Sequence, residues 1–362
     1  MVYLIPELLE YALVNRRSII NGVQELNVGL SEVAKKWTSY SPESIPSIGR
    51  VAAVDGSLNF IDFRGFLLYA VDAAALVYGD RGYEDGVKTG KVGLLYPSDN
   101  VLERVRHHMA ILELRTILKV LEDYDIDLAL NDGSYVSFFA KAYGTHFYFL
   151  SRKTLREFQD LIESLSKSIG KGELKVQSED FFGTILERIK DVDKAIKVIS
   201  FLERLETFQL LLKLLKDFGN KIVSISKTSV SRRYFSHSLK PDLVVFSKMT
   251  LSPGFSQPEK YVVSIPSDIK GYLKEYCDDK VTFTVFYART EPDGMVFRVE
   301  IPEELDISEI KDLLSRLRSL SVKGYPYPLR RVHREVEICA EDMLKLYRIL
   351  SLYGEEKGRE ML

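Results

Sequence analysis

Cysteine is nearly missing from this sequence: 362 residues contain two, Cys277 and Cys339, with no C-x-x-C pair. That excludes a disulfide framework and a zinc knuckle, fits a reducing compartment, and leaves each thiol to be read as a buried apolar filler. An excess of one charge is missing too. Fifty Lys and Arg face 52 Asp and Glu, for a net charge of -2 and a pI near 6.3. This argues against a generally sticky polyanion binder, because phosphate affinity rests on clustered cations that release counterions. Any contact with nucleic acid must come from local basic patches or from bound metal ions. The longest apolar run, Phe66 to Tyr78, is broken by Asp72 and is too short to span a bilayer. The start, MVYLIPELLEYALVNRR, carries Pro6, Glu7 and Glu10 inside its apolar stretch, unlike a secretory signal. The expectation is a cytoplasmic protein with no membrane contact. No fixed-period repeat or low-complexity tract occurs, and no G-x-x-x-x-G-K-[ST] is present to drive ATP-powered movement.

What is present is an ordinary folding composition, 46% hydrophobic and 28% charged, long enough for two domains or one large domain with insertions. Helical spacing of apolar residues over 1–39 gives way to the Ser/Pro-rich TSYSPESIPSIG, so residues 1–44 read as an N-terminal helical segment and linker. From Arg50 the pattern becomes strand-like: Val51–Val54, Leu58–Phe63 and Phe66–Tyr78 predict a three-strand meander, followed by a charged turn at GDRGYEDGVKTG. A helix over Val101–Tyr124 and a strand over Ile126–Leu130 come next, then a mostly helical stretch to Phe218. Short strands are expected at Lys221–Ile225, Asp242–Phe246, Tyr261–Ile265, Val281–Tyr287 and Met295–Ile301. Helices follow at Ile307–Leu320 and Arg334–Tyr353, separated by the irregular VKGYPYPLRRVH. This order predicts an α/β mixed sheet covered by helices.

Asp55 in VAAVDGS and Asp132 in DLALNDGS are each expected to end a buried strand, followed both times by Gly-Ser. One Asp-Gly is ordinary turn chemistry; two at matching strand ends suggest carboxylates that converge if the strands are neighbours. Glu113 in ILELRTIL has Met109, Ala110, Thr116 and Ile117 three and four residues away, so it lies on a largely apolar stripe. Either it reaches water by its stem or it has a partner. Three such acids suit Mg²⁺ or Mn²⁺, and two ions can activate water and stabilise the leaving oxygen in phosphodiester hydrolysis.

In GYPYPLRRVH, His333 is a nitrogen ligand, a proton-transfer group or a structural histidine, and Tyr325 either orients a phosphate or packs with the prolines; Tyr327 is the weaker choice. Arg330 and Arg331 can hold phosphates or be a solvated surface. In SISKTSVSRRYF, Lys227, Arg232 and Arg233 form the best basic patch, with Tyr234 and Phe235 available for base stacking, against the alternative of an exposed loop. His107 and His108, successive on a helix, read as surface or edge residues.

The ordered set VAAVDGS, ILELRTIL, LALNDGS and GYPYPLRRVH resembles the NurA nuclease family of archaeal DNA-end processing, over about residues 45–345. The resemblance implies a ribonuclease H-like domain over 45–362 with a helical insertion at about 150–205. It also implies a Mn²⁺-dependent 5′ to 3′ exonuclease on single- and double-stranded DNA, with endonuclease activity on single strands, acting in double-strand break end resection for homologous recombination. A homodimer docked on a HerA-type hexameric ATPase is implied with it, and an ATPase partner agrees with the missing P-loop. By the same resemblance the metal acids fall on Asp55, Glu113 and Asp132, the histidine on His333, the tyrosine on Tyr325 and, more loosely, a basic residue on Lys227. Two Mn²⁺ ions per site, with Mg²⁺ as substitute, are the expected cofactors. Two rivals stand beside this reading. One is an ATP-binding phosphotransferase of the actin-like or sugar-kinase type, whose Asp and Gly are separated by a residue where here they are adjacent. The other is a non-enzymatic adaptor of the translocase.

Overall fold

The computed structural model describes residues 5–42, 47–96, 100–144, 150–276 and 279–355; Cys277 lies outside them. The chain opens with α1 (Pro6–Val14), α2 (Arg16–Gln24), α3 (Leu30–Lys36) and the short strand β1 (Trp37–Ser39). Strands β2 (Val51–Asp62), β3 (Leu67–Gly79) and β4 (Gly82–Leu95) precede α4 (Val101–Asp123), β5 (Leu128–Asp132) and α5 (Tyr135–Gly144). Helices α6 (Arg152–Glu157), α7 (Gln159–Ser168), α8 (Phe182–Ile189) and α9 (Val192–Phe218) lead to β6 (Ile222–Ser226) and α10 (Asp242–Met249). Then come β7 (Gly254–Ser256), β8 (Glu259–Ser264), β9 (Lys280–Arg289), β10 (Val296–Ile301), α11 (Ile307–Leu320), β11 (Ser321–Val322), β12 (Tyr325–Pro326), α12 (Tyr327–Val336) and α13 (Ala340–Ile349).

Ten strands form one mixed sheet in the order β1-β7-β9-β10-β6-β5-β2-β3-β4, with β8 also on β9. β5 runs parallel to β2 and β6, and every other pairing in the sheet is antiparallel. The central strands read as continuous apolar runs because both faces are covered. Ala52, Val54 and Ala129 face α4 and α9, while Val51, Ala53, Leu128 and Leu130 face α11 and α12.

Several expectations are corrected. Val51–Val54 and Leu58–Phe63 belong to one strand, paired without a break to β3 from Val51↔Tyr78 to Asp62↔Leu67. The charged stretch after Tyr78 is mostly strand, not turn: β4 is the sheet edge, so its exposed positions carry the charges that an edge tolerates. Asp242–Phe246 is helical. The buried Asp242 carboxylate accepts the N–H groups of Arg233 (2.7 Å) and Phe235 (3.0 Å), a loop-tethering role that a strand side chain would not serve. The irregular GYPYPLRRVH holds β12 and then α12, with Pro328 in its first turn, where no amide hydrogen is needed. Cys339 is exposed rather than buried, and its thiol donates to Asp342 at the start of α13.

His108, expected near the surface, is fully buried. It sits between the Tyr69 hydroxyl of β3 (2.8 Å) and Glu203 of α9 (2.8 Å), and Glu203 also takes Arg104 Nε and Nη2 at 2.9 and 2.7 Å. Burial alone would raise Glu203, yet Arg104 and His108 hold its pKa down to about 2. One turn further along α9, Glu206 accepts from Arg115 Nη2 (2.7 Å) and from the amides of Gln177 (3.1 Å) and Ser178 (2.8 Å). Two buried acids of α9 thus clasp three cationic or imidazole side chains of α4. Removing one member of such a pair leaves a desolvated charge alone. Glu206→Ala should therefore cost about 3–5 kcal/mol in urea unfolding; a loss below about 1 kcal/mol would mean that the clasp carries little.

Candidate metal centre

Asp55 does not end its strand. It lies inside β2, where β2 continues past the end of its parallel neighbour: the β2–β5 register stops at Val54↔Asn131, and Asp132 is the last residue of β5. Alternation puts Asp55 with Val51 and Ala53, and Asp132 with Leu128 and Leu130, so both carboxylates emerge on the α12 face of the sheet. His333, on the second turn of α12, reaches across so that its Nδ1 lies 2.7 Å from Asp55 Oδ2. One ligand atom each from Asp55, Asp132 and His333 falls within a mutual 4.8 Å.

Glu113 arrives from the opposite side, on α4. The backbone of Gly56 lets it in: a Cβ there would stand 3.1 Å from Met109 Cγ, 3.2 Å from the Asp72 carbonyl oxygen and 3.3 Å from Glu113 Oε2. The first Asp-Gly-Ser therefore needs glycine for close approach. The second needs its conformation held. The Gly133 carbonyl accepts from Ser224 (2.9 Å) and Ser226, its amide donates to Ile225 (3.0 Å), and Ser134 donates to the buried Glu300 (2.5 Å). Neither tripeptide is a hairpin turn.

Like charges in a half-buried cleft resist ionisation. Burial first, then the charges of Asp55 and Asp132, raise Glu113 to about 8. Burial and the Asp132 charge raise Asp55 to about 6, against the lowering effect of His333. Lys227 lies 2.6 Å from Asp132 and 4.8 Å above the Tyr325 ring. Tyr325 is buried under the cluster; its hydroxyl meets no full hydrogen bond, and burial followed by the nearby Asp132 charge pushes its pKa upward. Two oxygen donors, a nitrogen donor and an acid that prefers to stay protonated suit a hard divalent cation, whose charge would offset the repulsion.

The remaining candidates divide. Arg330 bonds the Val322 carbonyl (3.2 Å) and its charge reaches Tyr325, whereas Arg331 pairs with Glu335 (2.5 Å). Arg232 is exposed and bonds the Leu239 carbonyl, and Arg233 pairs with Glu259 while stacking 4.0 Å over Tyr261. Tyr234 and Phe235 are not available to stack on bases; they are buried with Phe246 and Tyr287. Two residues escape the sequence reading. Asp72 on β3, paired with Ser57, is raised to about 7 by burial and feels Asp55; its only trace is a charge inside an apolar run. Glu300, buried in β10 beside Arg298 (3.1 Å), anchors the loop after Asp132; two charges at alternate positions of the apolar strand VFRVEI are the signal.

Asp55 and Glu113 have higher pKa values in the folded protein than the usual 3.8 and 4.5, so between about pH 4 and 8 the folded state holds more protons. Without cation, stability must fall as pH rises through that window. Glu113→Gln, measured in EDTA, should raise Tm by roughly a few degrees at pH 8 and approach wild type at pH 5. Equal melting at pH 8 would contradict the picture of a strained acid.

A family model described as the NurA domain matches residues 49–338. A relative in Methanocaldococcus jannaschii, named as a probable DNA double-strand break repair nuclease NurA, is 30% identical over 95% of this chain and 89% of its own. The crystal structure of the NurA nuclease from Sulfolobus solfataricus superposes with a TM-score of 0.72 at 24% identity, covering 96% of this chain and 97% of that one. A crystal structure of NurA bound to dAMP and manganese gives 0.61 at 13% identity, covering 96% of each chain. These structures share the fold, and with a family model spanning most of the sequence, the chain belongs to the NurA family.

Proposed function

We propose that this protein is a Mn²⁺-dependent DNA nuclease, a 5′ to 3′ exonuclease on single- and double-stranded DNA and an endonuclease on single strands, acting in double-strand break end resection. The observation that carries the reading is the convergence of Asp55, Asp132 and His333 within 4.8 Å, with Glu113 beside them, in a family whose relatives are named DNA repair nucleases. The order β4-β3-β2-β5-β6, with acids on the central strand and its parallel neighbour, supports a ribonuclease H-like core. In this division residues 1–44 are an N-terminal segment and 45–362 the nuclease domain, with its helical insertion at about 150–205.

Asp55, Asp132 and His333 would hold the cation, with Glu113 as further ligand where a second ion binds. When bound, such ions supply Lewis acidity to the scissile phosphate and lower the pKa of an attacking water. The chain's own groups do the rest. Lys227, held between Asp132 and the face of Tyr325, presents a positive charge to a phosphate oxygen. Tyr325, neutral through burial, is a fixed hydroxyl for orienting phosphate or water. His333, half exposed with its Nδ1 2.7 Å from Asp55, is the nitrogen donor of the set. Arg330, Arg331, Arg232 and Arg233 are the further phosphate contacts of this reading.

A homodimer working on a HerA-type hexameric ATPase completes the proposal. Its support lies in α1 and α2, which expose Leu8, Leu9, Tyr11, Leu13, Val14 and Ile19 with no buried residue in α1, an apolar surface suited to protein contact. No described helix is long and apolar enough to cross a membrane.

Asp55→Ala and Asp132→Ala should each reduce cleavage of a 5′-labelled oligonucleotide with Mn²⁺ by at least about a thousandfold while keeping native circular dichroism. Full activity in both variants would remove the carboxylates from the chemistry.

A further inference from the structure

The cleft that holds Glu113 and Asp132 continues away from them along α4. Glu103, Arg106, His107, Ala110, Glu113 and Leu114 recur at three- and four-residue steps, so they form one stripe, about 15 Å long from Glu113 to Glu103. The groove encloses 350 Å³, within the range of pockets that hold small ligands. Beyond the carboxylates its walls are mainly apolar: Leu58 from β2, Met109 and Ala110 from α4, Phe138 from α5, and Phe208 and Leu211 from α9. Its cation, Arg106, is paired with Glu103, so with Glu113 at the inner end the groove disfavours phosphate. An uncharged, flat, partly polar ring fits this lining.

One polar group in the wall has a free valence. Thr207 Oγ1 donates its proton to the Glu203 carbonyl (2.8 Å), so at 3.0 Å it must accept from His107 Nδ1–H. That fixes the neutral tautomer and leaves Nε2 as a hydrogen-bond acceptor, without a bond to any described residue. The ring stands edge-on to Phe138, 6.3 Å between centroids at 87°.

Resting on the nuclease reading, we propose that this groove is a nucleobase pocket, taking the base of a nucleotide that flanks the scissile phosphate. Met109, Ala110 and Phe138 cover the faces of the base, and His107 Nε2 accepts from an exocyclic amine, a group that adenine, cytosine and guanine carry. A phosphate at Asp55 and Asp132 has its own base within reach of the groove, since Asp132 belongs to the ligand group and also lines the inner end of the groove beside Glu113. A base in this groove cannot be paired, so a duplex end frays by at least one pair before it is cut. Helix α9, which the helical insertion leads into, closes the pocket with Phe208 and Leu211, together with the adjoining α5.

The test is kcat/KM with Mn²⁺ on a single strand, intact or with one abasic spacer placed in turn at each position around the first cut, for wild type and Ala110→Phe, which fills the groove. One spacer position should cost wild type about tenfold, as loss of a stacked base does. Ala110→Phe should bring the intact strand down to that level and lose little more with the spacer there. A flat spacer profile in wild type, or an equal slowing of intact and abasic strands by Ala110→Phe, overturns the pocket. Should Ala110→Phe not fold, Ala110→Leu makes the same comparison with a smaller factor. No cleavage of the intact strand by wild type would be a different result, removing the nuclease reading and the pocket with it.

Discussion

Mutual repulsion among carboxylates is the constraint around which this molecule is arranged. With oxygens of Asp55 and Asp132 within 4.8 Å of each other, two full negative charges would repel by at least about 3 kcal/mol at an effective dielectric of 20, so the scaffold must hold them together against their own field. Each aspartate is given a temporary partner, Asp55 the His333 ring and Asp132 the Lys227 ammonium, while Glu113 meets the charge by keeping its proton. In the proposed site a divalent cation between Asp55 and Asp132 would offset their charges directly and, through its field, favour the ionised form of Glu113. Such a cation would have to displace these substitutes, the Lys227 contact and the Glu113 proton among them, and that exchange couples ion binding to proton release.

Holding a repelling set needs rigid supports, and the fold provides them on both sides of the sheet. The aspartates stand on strands whose relative register is fixed by parallel pairing, and Glu113 stands on a helix that cannot rotate because Glu203 and Glu206 clasp Arg104, His108 and Arg115. A half-turn slip of α4 would strand five buried polar groups before it moved Glu113 out of place. Glu300, Ser224 and Ser226 do the same for the loop behind Asp132. The buried ion pairs of α4 and α9 thus specify an orientation as much as they stabilise a fold.

Much of this was legible in the residues. Helix α4 followed from a long run of helix formers without Gly or Pro, and strands β5, β6, β9 and β10 from short apolar runs, which a sheet covered on both faces demands. The repeated Asp-Gly-Ser was visible, though its reason was not. Spacing cannot tell a glycine that turns from one that lets Glu113 pass, as Gly56 does, since the neighbour comes from 57 residues away in the chain. Local chemistry misled where tertiary partners decided. The charges of β4 look like a turn until β3 supplies its ladder, Asp242 looks like strand until two loop amides claim its carboxylate, and His108 looks like surface until Tyr69 and Glu203 bury it. Asp72, a single charge in an apolar strand, and Glu300, one of two alternate charges in another, carried weak signals, which acquire meaning only with their neighbours in place.

Proton release on Mn²⁺ binding is the most direct probe of this account. Titration calorimetry at pH 7 in two buffers of different ionisation enthalpy reads it without any substrate. Because Glu113 keeps its proton until about pH 8 and Asp55 until about pH 6, binding should expel close to one proton, and Glu113→Gln should abolish most of that release. Binding without proton release, or no binding of Mn²⁺ at all, would contradict a site built on carboxylates held together against their charge.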